Sequence, residues 1–224
     1  MSVSEDRTVQ PSPTTAAPAS GIADPAPLGL AAFALTTFLL SAKNADWMSH
    51  ATGSAWLGFA FAYGGLGQLL AGMWEFRNRN VFGATAFATY GGFWIGLGLW
   101  VQLVVNPAVA AARPATLAAT VSGLNHDLGW ILLAFAIFNT YMLIMSAQVN
   151  LAVFAVFLTL ELTEIILCIG NFNAGAALIP TTTIKIGGYV GLITALVAWY
   201  TSAAGVSNGV AGKVRFPVGR PLIS

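Results

Sequence analysis

The sequence predicts an all-α, polytopic membrane protein, and three observations predict it. Apolar residues make up 57% of the chain and charged residues only 8%. A soluble domain carries roughly 25% charged residues, and 224 residues cannot hide this much apolar surface in one globular core. The apolar residues fall into six runs, at 28–45, 55–73, 85–105, 128–147, 151–170 and 184–204. Each lies near the roughly 20-residue length that crosses a hydrocarbon layer as a helix. Inside lipid the backbone must satisfy its own hydrogen bonds, so runs of this length are helices.

The first run opens on Asp24-Pro25-Ala26-Pro27-Leu28-Gly29-Leu30. Two prolines and a glycine at the mouth of a membrane helix can leave backbone groups unpaired, to be buried in protein or wetted by a pathway. The competing reading is an ordinary proline-started helix, because Pro is tolerated in the first turn. Residues 1–23 are rich in Ser, Thr, Pro and Ala. They lack the apolar core of a secretory signal peptide and read as a disordered tail. Residues 24–205 form the membrane domain. Residues 206–224 are a polar tail carrying Lys213, Arg215 and Arg220.

Small residues four apart recur in the second, third and sixth runs, at Ala60/Gly64, Gly92/Gly96 and Gly187/Gly191. That spacing lets helix backbones approach closely, within one protomer or between protomers. Polar residues also stand at mid-membrane depth. They are Thr36 and Thr37 in the first run, Tyr63 and Gln68 in the second, Tyr90 in the third, and Asn139 and Thr140 in the fourth. Glu161 and Glu164 lie three apart in the fifth run, on one helix face. An intramembrane carboxylate is costly and by default faces the bundle interior or an aqueous cavity. Two so close would titrate as a coupled pair. They either bond to a neighbouring helix or handle protons.

Charge orients the chain. With both termini on one side, that side holds six basic residues: Arg7, Arg77, Arg79, Lys213, Arg215 and Arg220. The other side holds three: Lys43, Arg113 and Lys185. Positive charge gathers on the cytoplasmic side, so both termini are expected there. A net charge of +1 and the lack of a basic patch argue against nucleic acid as a partner. Cys168 is the single cysteine, so it forms no intrachain disulfide and reads as a packing residue. His50 and His126 fall in expected outer loops with no companion ligands at metal spacing. No glycine-rich nucleotide motif follows a strand. Neither a metal, a cofactor nor an enzyme site is therefore expected.

The motifs carry a resemblance. Asp24-Pro-Ala-Pro-Leu-Gly-Leu30 is similar to the Asn-Pro-Ala-Pro-Leu-Gly motif of the acetate uptake transporters, the succinate–acetate permease-like family. Tyr63-Gly-Gly-Leu-Gly-Gln68, Ala71-Gly-Met-Trp-Glu75, Asn80-Val-Phe-Gly83, Thr85-Ala-Phe-Ala-Thr-Tyr90-Gly-Gly-Phe-Trp94 and Ile169-Gly-Asn171 extend it. The resemblance implies a six-helix protomer assembled as a homohexamer, with a path for a small carboxylate such as acetate through each protomer. It places the narrowest point at Phe33, Tyr90 and Leu160, with Ala198 lining the same path. Thr36, Thr37, Tyr63 and Gln68 would supply its polar groups, and Asp24, Pro25, Pro27 and Gly29 its entrance motif. Two departures stand out. Asp24 exchanges the family's amide donor for an acceptor-only carboxylate, and Glu161 and Glu164 occupy a stretch that the family keeps mainly apolar.

The function expected from this is uptake of acetate or a related short carboxylate across the cytoplasmic membrane. An interior-negative potential opposes entry of an anion by about 2.3 kcal/mol per 100 mV, and an accompanying proton removes that opposition. Channel-like flow down a gradient also fits. Ammonia or ammonium export, and acetate sensing without transport, are the alternatives.

Overall fold

Six helical rods joined by short connections make up residues 21–49 and 54–223, the part of the chain that the computed structural model describes. α1 is Ala26–Asn44. α2 covers 55–77 and contains a π-helical segment, Ala62–Gly67, between two α-helical pieces. α3 is Val81–Ala111, with a second π segment at Val101–Val105. α4 is Pro114–Ser146, α5 is Leu151–Phe172 and α6 is Thr182–Ala211. The segment 1–20 and His50 lie outside the described residues.

Five rods are long and apolar enough to cross a membrane: α1, α3, α4, α5 and α6. In α2 the apolar character is diluted by Gln68, Glu75, Arg77 and several glycines. At about 1.5 Å per residue, α2 nonetheless matches the roughly 30 Å of a hydrocarbon core.

The start of α1 is intact rather than broken. Ala26 N donates to Asp24 Oδ1 at 3.0 Å, and Leu28 N and Gly29 N both donate to the Pro25 carbonyl. The two prolines have no N–H to satisfy. Every backbone donor of this turn is thereby used, so the unpaired entrance gives way to the proline-started helix. Either an Asp or an Asn can supply the acceptor at position 24.

α3 and α4 run well beyond the apolar stretches that predicted them. The chain breaks only at Ala112 and Arg113, whose ψ angles of 129° and 157° are extended. Pro114 disfavours helical geometry in the residue before it. The polar stretch at 125–127 stays helical because it is held from outside. Asn125 Nδ2 donates to the carbonyls of Gly175 and Ala177, and the His126 ring packs on Phe172 at 5.2 Å. His126 therefore sits on a helix, not in a loop.

α1 and α6 pack almost backbone to backbone. A Cβ on Gly188 would fall 2.4 Å from Ala45 N, and one on Gly191 would fall 2.2 Å from Ser41 Oγ. The pair is also tied at both ends, by the Asp46–Lys185 ion pair and by Ser202 Oγ donating to the Pro27 carbonyl at 2.6 Å. Gly92 and Gly96 differ, since a Cβ on either meets nothing within 4 Å.

Beyond α6 the chain turns at Gly212, where φ is 61°, in the left-handed conformation that ends many helices. Residues 213–223 then fold back over the α4–α5 turn. Val218 accepts from Ala152 N, and Leu222 N and Ile223 N donate to Ala147. Asn208 receives Arg215 N and Phe216 N on its Oδ1. The polar tail expected from 206 thus begins as helix and continues as a strap.

Candidate transport pathway

The helix ends gather into two vestibules. The cavity of about 300 Å³ at the Lys43, Asn44, Asn106, Asn125 and Asn171 end collects the last turns of α1, α3 and α5. At the opposite end a cavity of about 350 Å³ is lined by Asp24, Asn78, Asn80, Asn150 and Asn208. Lys43 brings the one cationic side chain to the lining of the first, with Nζ 5.7 Å from the centre of the Trp56 ring. We call these the Lys43 and Asp24 vestibules.

Between them the core closes. Phe33, Tyr90, Leu160 and Ala198 all belong to one packed cluster, together with Leu30, Phe87 and Phe157. The rings of Phe33 and Tyr90 meet edge to face, with centroids 5.8 Å apart. Phe93, Phe135 and Phe138 stand against Tyr90 on its other sides. Gly29 makes room beneath, since a Cβ there would fall 2.6 Å from the Phe87 ring. Phe33, Tyr90 and Leu160 line a small chamber of about 50 Å³ on the Lys43 side, and Leu30, Phe87 and Phe157 of the same cluster line the Asp24 vestibule. The chamber's space is close to the share of two waters at about 30 Å³ each, so it admits only a guest of a few heavy atoms. Leu40, Asn44, Phe93, Leu132 and Leu167 line both the chamber and the Lys43 vestibule, so the two adjoin.

The chamber is mainly apolar, with a few polar groups that have no partner. Phe33, Leu132, Leu160 and Leu167 give it greasy walls. Thr37, Trp94 and Glu164 also line it, and Thr37 Oγ1, Trp94 Nε1 and Glu164 Oε2 are all buried without a hydrogen-bond partner. A buried polar group left unpaired costs about 1–3 kcal/mol. Three around one small cavity mark the chamber as a place where a polar guest recovers that cost. A hydroxyl and an indole N–H are donors, as a carboxylate guest requires.

Behind the chamber a hydrogen-bonded chain crosses three helices. Asn139 Nδ2 donates to the Phe157 carbonyl at 3.0 Å and to Glu161 Oε2 at 2.7 Å. Asn139 Oδ1 lies 2.9 Å from Tyr90 Oη, which in turn lies 3.2 Å from Glu164 Oε1. Thr140 Oγ1 is 2.8 Å from Glu161 Oε1 and 2.9 Å from the Ala136 carbonyl, with one hydrogen between them. Asn139 is fully buried, and Glu161 and Glu164 are nearly so. The two carboxyls therefore have different surroundings: Glu161 is engaged on both oxygens, while Glu164 keeps one free beside the chamber.

The remaining expected polar positions fall elsewhere. Thr36 bonds to the Ala32 carbonyl at 3.1 Å and lies against Gly64 of α2. Gln68 is buried on α2 with Oε1 unpartnered. Tyr63 is half-buried on the same rod. Thr36, Tyr63 and Gln68 line none of the three cavities, and their place is the α1–α2 side of the bundle. Asp24, Pro27 and Leu30 line the Asp24 vestibule. Sequence reasoning missed Trp94 as a donor, although it closes the longest matched motif. It also missed Thr163, whose hydroxyl lies 3.1 Å from that of Thr194 across α5 and α6.

An all-helical bundle with five rods long and apolar enough to span a bilayer, a cavity at each end and an aromatic cluster, the septum, between is a multi-pass membrane protein. The chain belongs to the GPR1/FUN34/yaaH family, which it matches over residues 6–219. It is 40% identical over 189 residues to acetate permease A of Emericella nidulans, covering 83% of this chain and 62% of the relative. Ammonia transport outward protein 2 of Saccharomyces cerevisiae is 36% identical over 86% of this chain and 64% of its own length. The chain thus spans somewhat under two thirds of these fungal relatives. The succinate–acetate/proton symporter SatP of Escherichia coli K12 is 32% identical, with 88% of this chain and 96% of that one aligned. The fold matches the solved structure of the bacterial acetate channel SatP with a TM-score of 0.72 at 31% identity, over 88% of this chain and 99% of that one.

Proposed function

We propose that this protein carries acetate or a related short carboxylate across the cytoplasmic membrane, with a proton as the accompanying charge. The observation that carries this reading is the chamber beside the septum. It has apolar walls for a short alkyl group and unpartnered donors on Thr37 and Trp94 for a carboxylate. Phe33, Tyr90 and Leu160 limit its size, and Lys43 attracts anions to the adjoining vestibule. Glu161 and Glu164 are the candidates for proton handling. The relatives named for acetate transport support the same substrate class.

In this reading all six rods cross the bilayer, α2 included, and both termini face the cytoplasm, so the Lys43 vestibule opens outward. The protomers assemble as a homohexamer, with the open face around Gly92 and Gly96 available for helix contacts. The test is uptake of labelled acetate into proteoliposomes, with and without an imposed pH gradient. Flux of methylammonium with none of acetate would favour ammonium export, the role carried in the name of the Saccharomyces relative. Acetate binding in detergent without flux would favour a sensor.

A further inference from the structure

Hydrogen-bond arithmetic along the Asn139–Tyr90 chain bears on Glu164. The Phe157 carbonyl can only accept, so the side of Asn139 that faces it is the NH2. Both hydrogens of that NH2 are then used, on Phe157 and on Glu161. Asn139 Oδ1 is left facing Tyr90 Oη, and it too can only accept. Tyr90 has a single hydrogen, and Asn139 takes it. The phenol oxygen is therefore an acceptor toward Glu164 Oε1 at 3.2 Å, and the hydrogen of that contact comes from Glu164. An ionised Glu164 would have to draw the Tyr90 hydrogen to itself, which leaves Asn139 Oδ1 buried against a lone pair. Glu161, through Asn139, thereby presets Tyr90 to hold a protonated Glu164.

The other oxygen of that carboxyl, Glu164 Oε2, is unpartnered at the chamber, beside Thr37 and Trp94. Other groups near Glu164 leave this assignment undisturbed. α3 brings Tyr90, α4 brings Asn139 with Tyr141 beyond Tyr90, and α5 brings Glu161 one turn back. α1 brings the hydroxyls of Thr37 and Ser41, and α6 that of Thr194, bonded to Thr163. Lys43, Asp46 and Lys185 stand at the far end of the bundle, at the vestibule mouth and the α1–α6 junction.

We infer that Glu164 gives its proton to the bound carboxylate, so that the substrate passes the septum as a neutral acid, while Glu161 acts as a positioning residue. This rests on the carboxylate-transport reading above. In the step, the Glu164 carboxyl turns about its Cγ–Cδ bond so that the oxygen carrying the hydrogen leaves Tyr90 and faces the chamber; that O–H bond then breaks and an O–H bond forms on the substrate. A carboxylate and a carboxylic acid exchange identities, and nothing is oxidised or reduced. Thr37 and Trp94 hold the anion while it receives the proton. The Tyr90 hydroxyl then swings its hydrogen from Asn139 to the new Glu164 carboxylate. Water from the Lys43 vestibule returns a proton to Glu164, and the neutral acid releases its own beyond the septum. Phe33 and Leu160 never meet a bare charge.

The experiment is initial-rate uptake in proteoliposomes at fixed total acetate, with external pH varied from about 5 to 7.5. Above its titration range near 4 to 4.5, the neutral fraction of such an acid falls about tenfold per pH unit. The parent, which protonates the anion on site, should lose rate much less steeply than that. Glu164→Gln should follow the neutral acid, about tenfold per unit, and Glu164→Asp should restore the shallow profile. Glu161→Gln should lower the rate without steepening its pH dependence. Coincident profiles for the parent and Glu164→Gln would overturn the assignment while leaving acetate transport intact. Absence of acetate flux in the parent would overturn the transport reading instead. If Glu164→Gln fails to assemble, infrared difference spectra of the parent still decide. With carbon-13 acetate added, loss of a protonated protein carboxyl band is expected, and an unchanged band would refute the exchange.

Discussion

Phe33 and Tyr90 meet edge to face at an interplanar angle of 64°, and this pair forms the central part of the septum. Each ring is nearly buried, at 5% and 3% exposure. Tyr90 cannot turn without disturbing three further aromatic neighbours. Leu160, from α5, packs in the same cluster but is aliphatic and takes part in no ring contact, so it is the wall whose bulk can be trimmed without breaking the aromatic pair.

Leu160→Ala should therefore widen the septum. In a sealed core the change would cost about 2–5 kcal/mol, but water from the adjoining chamber can fill part of the space. The variant should fold and admit lactate better relative to acetate, as measured by competition for labelled acetate uptake. An unchanged acetate-to-lactate ratio at normal membrane abundance removes Leu160 from the size limit.

Tyr90→Phe keeps the ring and deletes the atom that links Asn139 to Glu164. A bond to a charged group is worth about 1.5–3 kcal/mol, so acetate flux should fall about tenfold or more. The lactate-to-acetate ratio should stay put. Widened selectivity in this variant would mean that the hydroxyl, not the ring, fills the gap.

Lys43→Gln should raise the KM for acetate uptake from the Lys43 side several-fold at low salt, with little change in maximal rate. Steering by one exposed cation weakens as salt is added. The difference from the parent should thus shrink at about 0.5 M sodium chloride, where the Debye length falls well below 10 Å. A salt-independent defect would show that Lys43 acts by contact.

Two glycine substitutions should separate folding from assembly. Gly188→Leu drives a side chain into the α1 backbone, and overpacking of that kind costs about 1–3 kcal/mol or more. It should lower the thermal midpoint of the detergent-solubilised protein or abolish expression. Gly92→Leu meets open space within the protomer, so it should leave the fold intact and reduce oligomer size by native mass spectrometry. Full-size oligomer in Gly92→Leu would move the protomer contacts to another face.

Asp24→Asn should be silent in stability, because the acceptor for Ala26 N survives. Asp24→Ala should cost about 0.5–1.5 kcal/mol, the usual net worth of one hydrogen bond, read as a lower midpoint in thermal unfolding. Equal loss in both variants would assign the stability to the charge rather than to the hydrogen bond.

The apolar runs made the rods legible in the sequence, because lipid demands long uninterrupted helices. Their ends were not legible. Asn125 and His126 look like loop residues until Gly175, Ala177 and Phe172 arrive from another part of the chain to hold them. Family motifs pointed to Phe33, Tyr90, Leu160 and Ala198, which come together in one cluster. Depth alone suggested Thr36 and Thr37 equally, yet adjacent residues on a helix point about 100° apart. One faces α2 and the other the chamber. The link from Glu161 to Tyr90 could not be read at all, since it runs through Asn139 on a third helix.

The tie between α1 and α6 has a kinetic consequence. Gly188 and Gly191 leave no slack between these helices, and bonds near each end fix their register. Helices so fastened move as one unit, with no hinge between them. In the transport reading proposed above, the α1–α6 seam stays shut and passage falls to the swing of the septum side chains. Side chains reorient far faster than domains move, so the turnover of this protein should be set by how often the septum rings part. Its throughput belongs to the turnstile rather than to the revolving door.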